Sequence, residues 1–179
     1  MILKVARLGH PVVRAACSAV PAAAVKSRDF QRFLDDMTDT MREYQGVGLA
    51  ANQVHEGLRA AVAEVREDAS VLRKTAAVPL TFLINPEIVE RSEELVDGWE
   101  GCLSVPGLRG LVPRHSWVRV KALSREGEAV DVRAEGFFAR ILQHECDHLD
   151  GKVYLDRMAG LRTLCFTEEF DRFGPPAAL

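Results

Sequence analysis

Between residues 28 and 44 the apolar positions recur with helical spacing. Phe30, Phe33, Leu34, Met37, Met41 and Tyr44 alternate with Asp29, Arg32, Asp35, Asp36 and Arg42, which predicts an amphipathic helix with its stripe against a core. Ser27 stands where an N-cap belongs. Farther on the pattern changes to strand-like alternation at 60–65, 81–85, 87–91, 117–123 and 128–133, with the charged stretch 67–76 expected as a loop or turn. Pro79, Pro86, Pro106 and Pro113 mark strand starts or sheet edges, where a missing N–H is tolerated. A second helical pattern at about 135–149 places Phe137, Ile141, His144 and His148 on one stripe, and Gly151 is suited to the position just past its end. A last helix is expected at 159–171, then a short tail at 174–179. Strands in the middle and helices at both ends predict an α+β fold. Antiparallel or mixed β-sheets would pack around the histidine-bearing helix, with one N-terminal and one C-terminal helix beside them.

Composition narrows the picture. A chain of 179 residues predicts a single domain, 1–179, with a sizeable core. Its 47% hydrophobic and 27% charged residues are ordinary for a globular protein, and a net charge of −3 argues against a broad nucleic-acid-binding surface. Charged residues interrupt every apolar run, so no membrane span is expected. The opening MILKVARLGHPVVR lacks the charged, apolar and cleavage regions of a secretory signal, which leaves the cytoplasm as the expected compartment. Cys17, Cys102, Cys146 and Cys165 form no Cys-x-x-Cys pair, and disulfides are not expected there.

The segment QHECDHLDG, residues 143–151, carries the strongest chemical signal. His144 and His148 lie one helical turn apart on one face, so both imidazoles can converge on one metal ion. Glu145 follows His144 by about 100° around the helix, where it can lean over the ion's open side and take a proton from an activated water. The bland alternative is a pair of solvated or core histidines. The apolar neighbours Phe137, Phe138, Ile141, Leu142 and Leu149 speak against solvation, and two buried histidines need partners. Cys146, about 200° from His144, should point away from the ion, so a third ligand must come from elsewhere.

Two further segments complete the pattern: GVGLAANQ at 46–53, rich in small residues, and EGCLS at 100–104. With QHECDHLDG they resemble, in order and at every fixed position, the three motifs of the peptide deformylase family. GHPVVR at 9–14 and VPGLRGLVPR at 105–114 are similar to family sequence as well, so the resemblance covers essentially the whole chain. It implies that Cys102, His144 and His148 hold one divalent ion, Fe²⁺ physiologically, with Zn²⁺, Ni²⁺ or Co²⁺ able to replace it. It implies removal of the N-formyl group from the initiating methionine of nascent peptides. A water activated by the ion attacks, and Glu145 takes its proton and later delivers it to the leaving amine. The Gln53 amide and the Leu103 N–H are implied as oxyanion donors. Gly48 would let the substrate backbone lie alongside its loop. Val47, Phe137, Ile141 and His144 are candidate walls of a methionine pocket, with plain core packing the alternative for Phe137 and Ile141. Arg109 would meet the peptide beyond the methionine, with a solvated surface arginine as the alternative. The ribosome near its exit tunnel is a candidate partner, with the last helix a candidate contact.

Around these residues, Arg114 and Asp147 are expected to pair behind the ligands, and Glu100 to orient the cysteine loop. His10, His55 and His115 have no ligand spacing and read as structural or exposed. Cys17 and Cys165 read as small buried apolar residues. Cys146 stands where the family more often carries a larger aliphatic residue or methionine, and it would add an oxidation-sensitive thiol near the site. Two rival readings remain. A zinc endopeptidase would share the helix motif but needs a downstream Glu or His ligand and has no use for EGCLS. A metal-binding or ribosome-associated module without turnover would need neither Glu145 nor Gln53.

Overall fold

The apolar stripe of residues 28–44 folds as the helix it predicts, and a five-stranded sheet lies beneath it. The structure is a computed structural model that describes residues 1–176. In chain order the helices are α1 (Pro11–Arg14), α2 (Ala22–Val25), α3 (Arg28–Glu43), α4 (Glu67–Arg73), α5 (Gly136–Leu149) and α6 (Thr167–Phe173). The strands are β1 (Gly48–Ala50), β2 (Ala60–Val65), β3 (Val78–Arg91), β4 (Leu95–Cys102), β5 (Val105–His115), β6 (Trp117–Leu123), β7 (Ala129–Glu135) and β8 (Cys165–Phe166). Antiparallel pairing gives one sheet in the order β1-β2-β3-β6-β7 and a second in the order β4-β5-β8. The architecture is α+β, as expected.

Strand β2 shows how the layers form. Its side chains alternate between faces. Ala60 and Val62 join Leu34, Met37 and Met41 of α3 in one core, whereas Ala63 and Val65 join Ile141 of α5 in another. On β3, Ile84 and Leu83 divide in the same way, and Leu83 meets Leu142 of α5 among Val118, Val120 and Ala134. The five-stranded sheet is therefore packed on both faces. Helix α5 runs between it and the β4–β5 hairpin of the second sheet. Ser27 caps α3, accepting from the Phe30 N–H at 3.3 Å. Gly151 follows α5 with φ of 72°, and a Cβ there would lie 2.9 Å from the Arg14 carbonyl carbon, so both backbone and space require glycine.

Several expectations are corrected. The stretch 67–76 is not a loop. It forms α4, whose first turn carries Glu67 and Asp68, a pattern that favours a helix N-terminus, and Lys74 closes it with φ of 52°. The strands expected at 81–85 and 87–91 are one strand, β3, bent where the register shifts around Pro86. Asn85 takes φ of 53° there, and its amide both donates to and accepts from the Val20 backbone. The β4–β5 hairpin was not anticipated, because its glycines and charges hide any alternation. The helix expected at 159–171 is instead a 3-10 turn at Leu161–Thr163, then β8, then α6 from Thr167. Pairing of Cys165 and Phe166 with Arg109 and Leu108 overrides the local helical pattern. The expected tail at 174–179 lies partly outside the described residues.

Candidate metal centre

Two elements bring three donors together. Helix α5 supplies His144 and His148, and the end of β4 supplies Cys102; their ligand atoms all lie within 4.8 Å of one another. The Cys102 Sγ is 3.1 Å from His148 Nε2. His144 gives its Nδ1 to Glu100 Oε2 at 2.8 Å, which leaves Nε2 to face the other donors. Burial, reinforced by the nearby His144, drives His148 well below the usual imidazole range, so it stays in the neutral form a metal requires. Burial opposes charge on His144 too, but hydrogen bonds to Cys102 and Glu100 outweigh it and raise this imidazole well above its ordinary value. One thiolate and two imidazoles suit Fe²⁺, Zn²⁺, Co²⁺ or Ni²⁺ rather than Mg²⁺ or Ca²⁺, and three protein ligands leave one coordination position open. The residues fit such an ion.

The donors sit at the foot of a cleft of about 550 Å³. Val47, Gly48, Gln53, Cys102, Leu103 and Arg109 line it from one set of loops and strands, and Phe137, Ile141, His144 and Glu145 from α5. Every residue expected at the site therefore reaches the cleft except His148, which is fully buried behind it. Phe137, Ile141 and Val47 also belong to one apolar cluster with Val65 and Val78, so wall and core are the same residues. Arg109 lies over the Phe170 ring, 4.9 Å from its centroid, and 3.8 Å from the Asp171 carboxylate.

Glu145 is almost wholly buried, and its Oε2 has no hydrogen-bond partner among the described residues. Burial pushes its carboxyl up to about 7, with His144 opposing the shift. Gly48 explains how the carboxylate fits. A Cβ on Gly48 would lie 2.7 Å from the Glu145 carboxyl carbon, so the glycine clears space for the acid rather than only for a substrate backbone. Gln53 is oriented by its neighbours. Its Oε1 accepts from the Ala50 N–H at 2.9 Å, which turns the amide nitrogen toward Cys102 Sγ at 3.4 Å and Ser104 Oγ at 3.2 Å.

Behind the donors lies a buried row of alternating charge. Glu100 accepts from Arg114 at 3.0 Å on both oxygens and from Arg140 at 2.8 Å. Arg114 continues to Asp147 at 2.5 Å, and Arg157 grips Asp147 from the other side. Burial would raise the Glu100 carboxyl, but hydrogen bonds from His144 and Arg114 hold it far below the usual carboxylate range. The Arg114–Asp147 pair is present as expected. Glu100 acts on His144 directly rather than only on the cysteine loop.

Sequence reasoning missed Arg140 and Arg157, and also Asn52, whose side chain donates to the His148 carbonyl at 2.6 Å. Gln143, noted only as part of its motif, bonds the His115 backbone in both directions. Arg140 alone had a signal, standing one helical turn before His144. Cys146 is buried, and that burial pushes its thiol up to about 12, which disfavours the thiolate form through which oxidation proceeds. Cys17 and Cys165 are half-buried rather than buried. His10 caps α1 and His115 bonds the Ser92 carbonyl, both structural roles, and the His55 ring packs edge-on against His10.

Comparison with known proteins agrees with this geometry. The family model for polypeptide deformylase matches residues 2–163. Peptide deformylase 1 of Bordetella pertussis is 42% identical over 168 residues, covering 94% of each chain. The Met-Ala-Ser-bound crystal structure of a class I type b peptide deformylase from Acinetobacter baumannii matches with a TM-score of 0.85 and 38% identity. It covers 88% of this chain and 99% of that one. Peptide deformylase from Thermotoga maritima matches with a TM-score of 0.78 and 33% identity, over 89% of this chain and 99% of that one. The chain belongs to the polypeptide deformylase family of metal-dependent hydrolases, which remove the N-formyl group from newly made polypeptides.

Proposed function

We propose that Cys102, His144 and His148 hold the catalytic ion of this deformylase, and that residues 1–179 work as one domain. The carrying observation is the convergence of these three donors at the foot of a cleft that also holds a buried, unpartnered Glu145 oxygen. Bound there, a divalent ion would supply a nucleophilic water at neutral pH and polarise the formyl oxygen. Glu145 accepts the water's proton and passes it to the leaving amine. The Gln53 amide and the Leu103 N–H donate to the developing oxyanion, and Gln53 is turned for that task by its bond from Ala50. Val47, Phe137 and Ile141 surround the methionine side chain. Gly48 keeps room for Glu145 and for the peptide, and Arg109 meets the chain farther along. A peptide beginning with methionine occupies the Acinetobacter relative, in keeping with this assignment.

Fe²⁺ is the ion we assign in the cell, with Zn²⁺, Ni²⁺ and Co²⁺ as functional substitutes. The substrates are N-formylmethionyl nascent peptides, which places the enzyme in the cytoplasm near the ribosomal exit tunnel, without direct readout of nucleic acid. Among the described residues no helix is long and apolar enough to cross a membrane. The test is formate release from formyl-Met-Ala by protein purified without oxygen, with metal quantified in the same sample. Turnover should track about one ion per chain, as expected for a three-ligand catalytic site, and vanish in Cys102→Ala. Fully metallated protein that releases no formate would sink the reading.

A further inference from the structure

One side chain crosses from the metal helix to the strand that carries the cysteine. Arg140 stands one turn before His144 on α5, so the two side chains rise from the same face. Its Nη1 donates to Glu100 Oε1 and to the Val112 carbonyl, both at 2.8 Å, and to the Gly98 carbonyl at 3.4 Å; its Nη2 donates to the Val96 carbonyl at 2.6 Å. The side chain is only 11% exposed. Gly98 admits it. A Cβ at that position would lie 2.6 Å from the guanidinium carbon. Arg114 and Gln143 also join α5 to the hairpin, but through Asp147 and the His115 backbone, on or beside β5. Arg140 reaches the backbone of β4, the strand that ends in Cys102.

We propose that Arg140, seated on Gly98, is a positioning residue of the metal centre. It fixes the strand bearing Cys102 and the carboxylate that orients His144, so that thiolate and imidazole meet at one point. The planar guanidinium fork suits this role, since it serves four acceptors at fixed angles where an ammonium has three donors on a flexible stem. The inference rests on the ligand set proposed above.

The test uses Co²⁺-loaded protein, read by its visible spectrum and by the rate of Co²⁺ release to a chelator. Arg140→Ala should alter the ligand-field bands and speed release by roughly 10–100-fold, the usual consequence of losing an outer-shell partner. Gly98→Ala should do the same while leaving the arginine present, because its new methyl evicts the guanidinium. The Gly98→Ala/Arg140→Ala double variant should be no worse than Arg140→Ala alone. Arg140→Lys should recover part of the loss by restoring charge beside Glu100. Arg59→Ala is the control. Arg59 bonds Asp150 and the carbonyls of Pro86 and Leu149, and its loss should lower stability without changing spectrum or release. Unchanged spectrum and release in Arg140→Ala, or in Gly98→Ala if the first variant does not fold, would overturn the proposal, as would full recovery by lysine. A thiolate charge-transfer band that is missing from the unsubstituted protein, or persists in Cys102→Ala, would overturn the ligand set instead.

Discussion

Helix α5 meets two unlike walls. On one side the five-stranded sheet offers Leu83, Val118, Val120 and Ala134, all buried and apolar. On the other the β4–β5 hairpin offers Gly98, Glu100, Cys102 and Arg114, with Glu100 and Arg114 as buried as the core aliphatics. The first wall is held by burial, which has no direction and tolerates small shifts. The second is held by hydrogen bonds between charges, which fix atoms but lose their balance when one partner goes. The donors of the metal centre stand where the two walls meet. Apolar packing gives α5 its place, and the polar wall gives its histidines their orientation.

Substitutions on the two sides should separate these roles. The largest effect is expected at Glu145→Gln, which keeps the shape of the side chain but removes the base. Formate release should fall by about 10²–10⁴ with metal content unchanged. Near-normal turnover in that variant would show that the acid is not the proton carrier. Arg114→Ala comes next, because it removes the buried cation that Glu100 and Asp147 share. Each carboxylate is left with fewer partners in the interior, which should cost about 3–5 kcal/mol in urea unfolding. Its apolar counterpart Leu83→Ala should cost a similar 2–5 kcal/mol through cavity formation. Only Arg114→Ala should also loosen the metal, measured as chelator-driven release. Equal release from the two variants would erase the distinction between the walls. Gly48→Ala should lower kcat by about 10² by displacing the Glu145 carboxylate, with far-ultraviolet dichroism unchanged. A loss confined to KM would return Gly48 to a purely substrate-facing role.

The smallest effect lies on the outer face of the apolar wall, where Arg42 of α3 grips Glu64 of β2 at 2.7 and 2.8 Å. Arg42 is 42% exposed, so Arg42→Ala should cost only about 0.2–1 kcal/mol. The hydrogen bond from Arg42 holds the Glu64 carboxyl below its ordinary value. The pair therefore contributes fully above the usual glutamate pKa of about 4.3 and is lost as pH falls through the lowered one. Denaturation of the two proteins at pH 7 and pH 3 should show the difference shrinking with acid. A constant difference would assign it to packing of the arginine stem.

The same contrast explains what was legible in the sequence. Leu34, Met37 and Met41 announce α3 because a helix packed on one side must repeat its apolar positions, and β2 and β6 are legible from their alternation. Strands β4 and β5 were opaque. Their interior-facing positions mix Glu100, Arg114 and glycines with the single fully buried Val112, and a strand whose inner face is so mixed loses the alternation that betrays strands. Strand β8 was hidden for another reason, since two residues pair with β5 without any pattern of their own. The three residues proposed as metal donors are brought together as their motifs imply, two marked by helical spacing and the third through motif resemblance. Arg140 had only its place one turn before His144 to mark it, because its meaning depends on Gly98, and only the folded hairpin brings the two together.

The central place of α5 has a consequence for the order of events during synthesis. Seven strands leave the ribosome before the helix that lies between their two sheets. Until residues 136–149 emerge, the inner face of the larger sheet, with Leu83, Val118 and Val120, has nothing to cover it. Such exposed apolar surface is the kind that chaperones hold and that aggregates when it waits too long. His148, the donor nearest the carboxyl terminus, arrives at the end of that same helix. Closure of the core and completion of the metal centre are thus one late event, and a chain stalled before α5 lacks both.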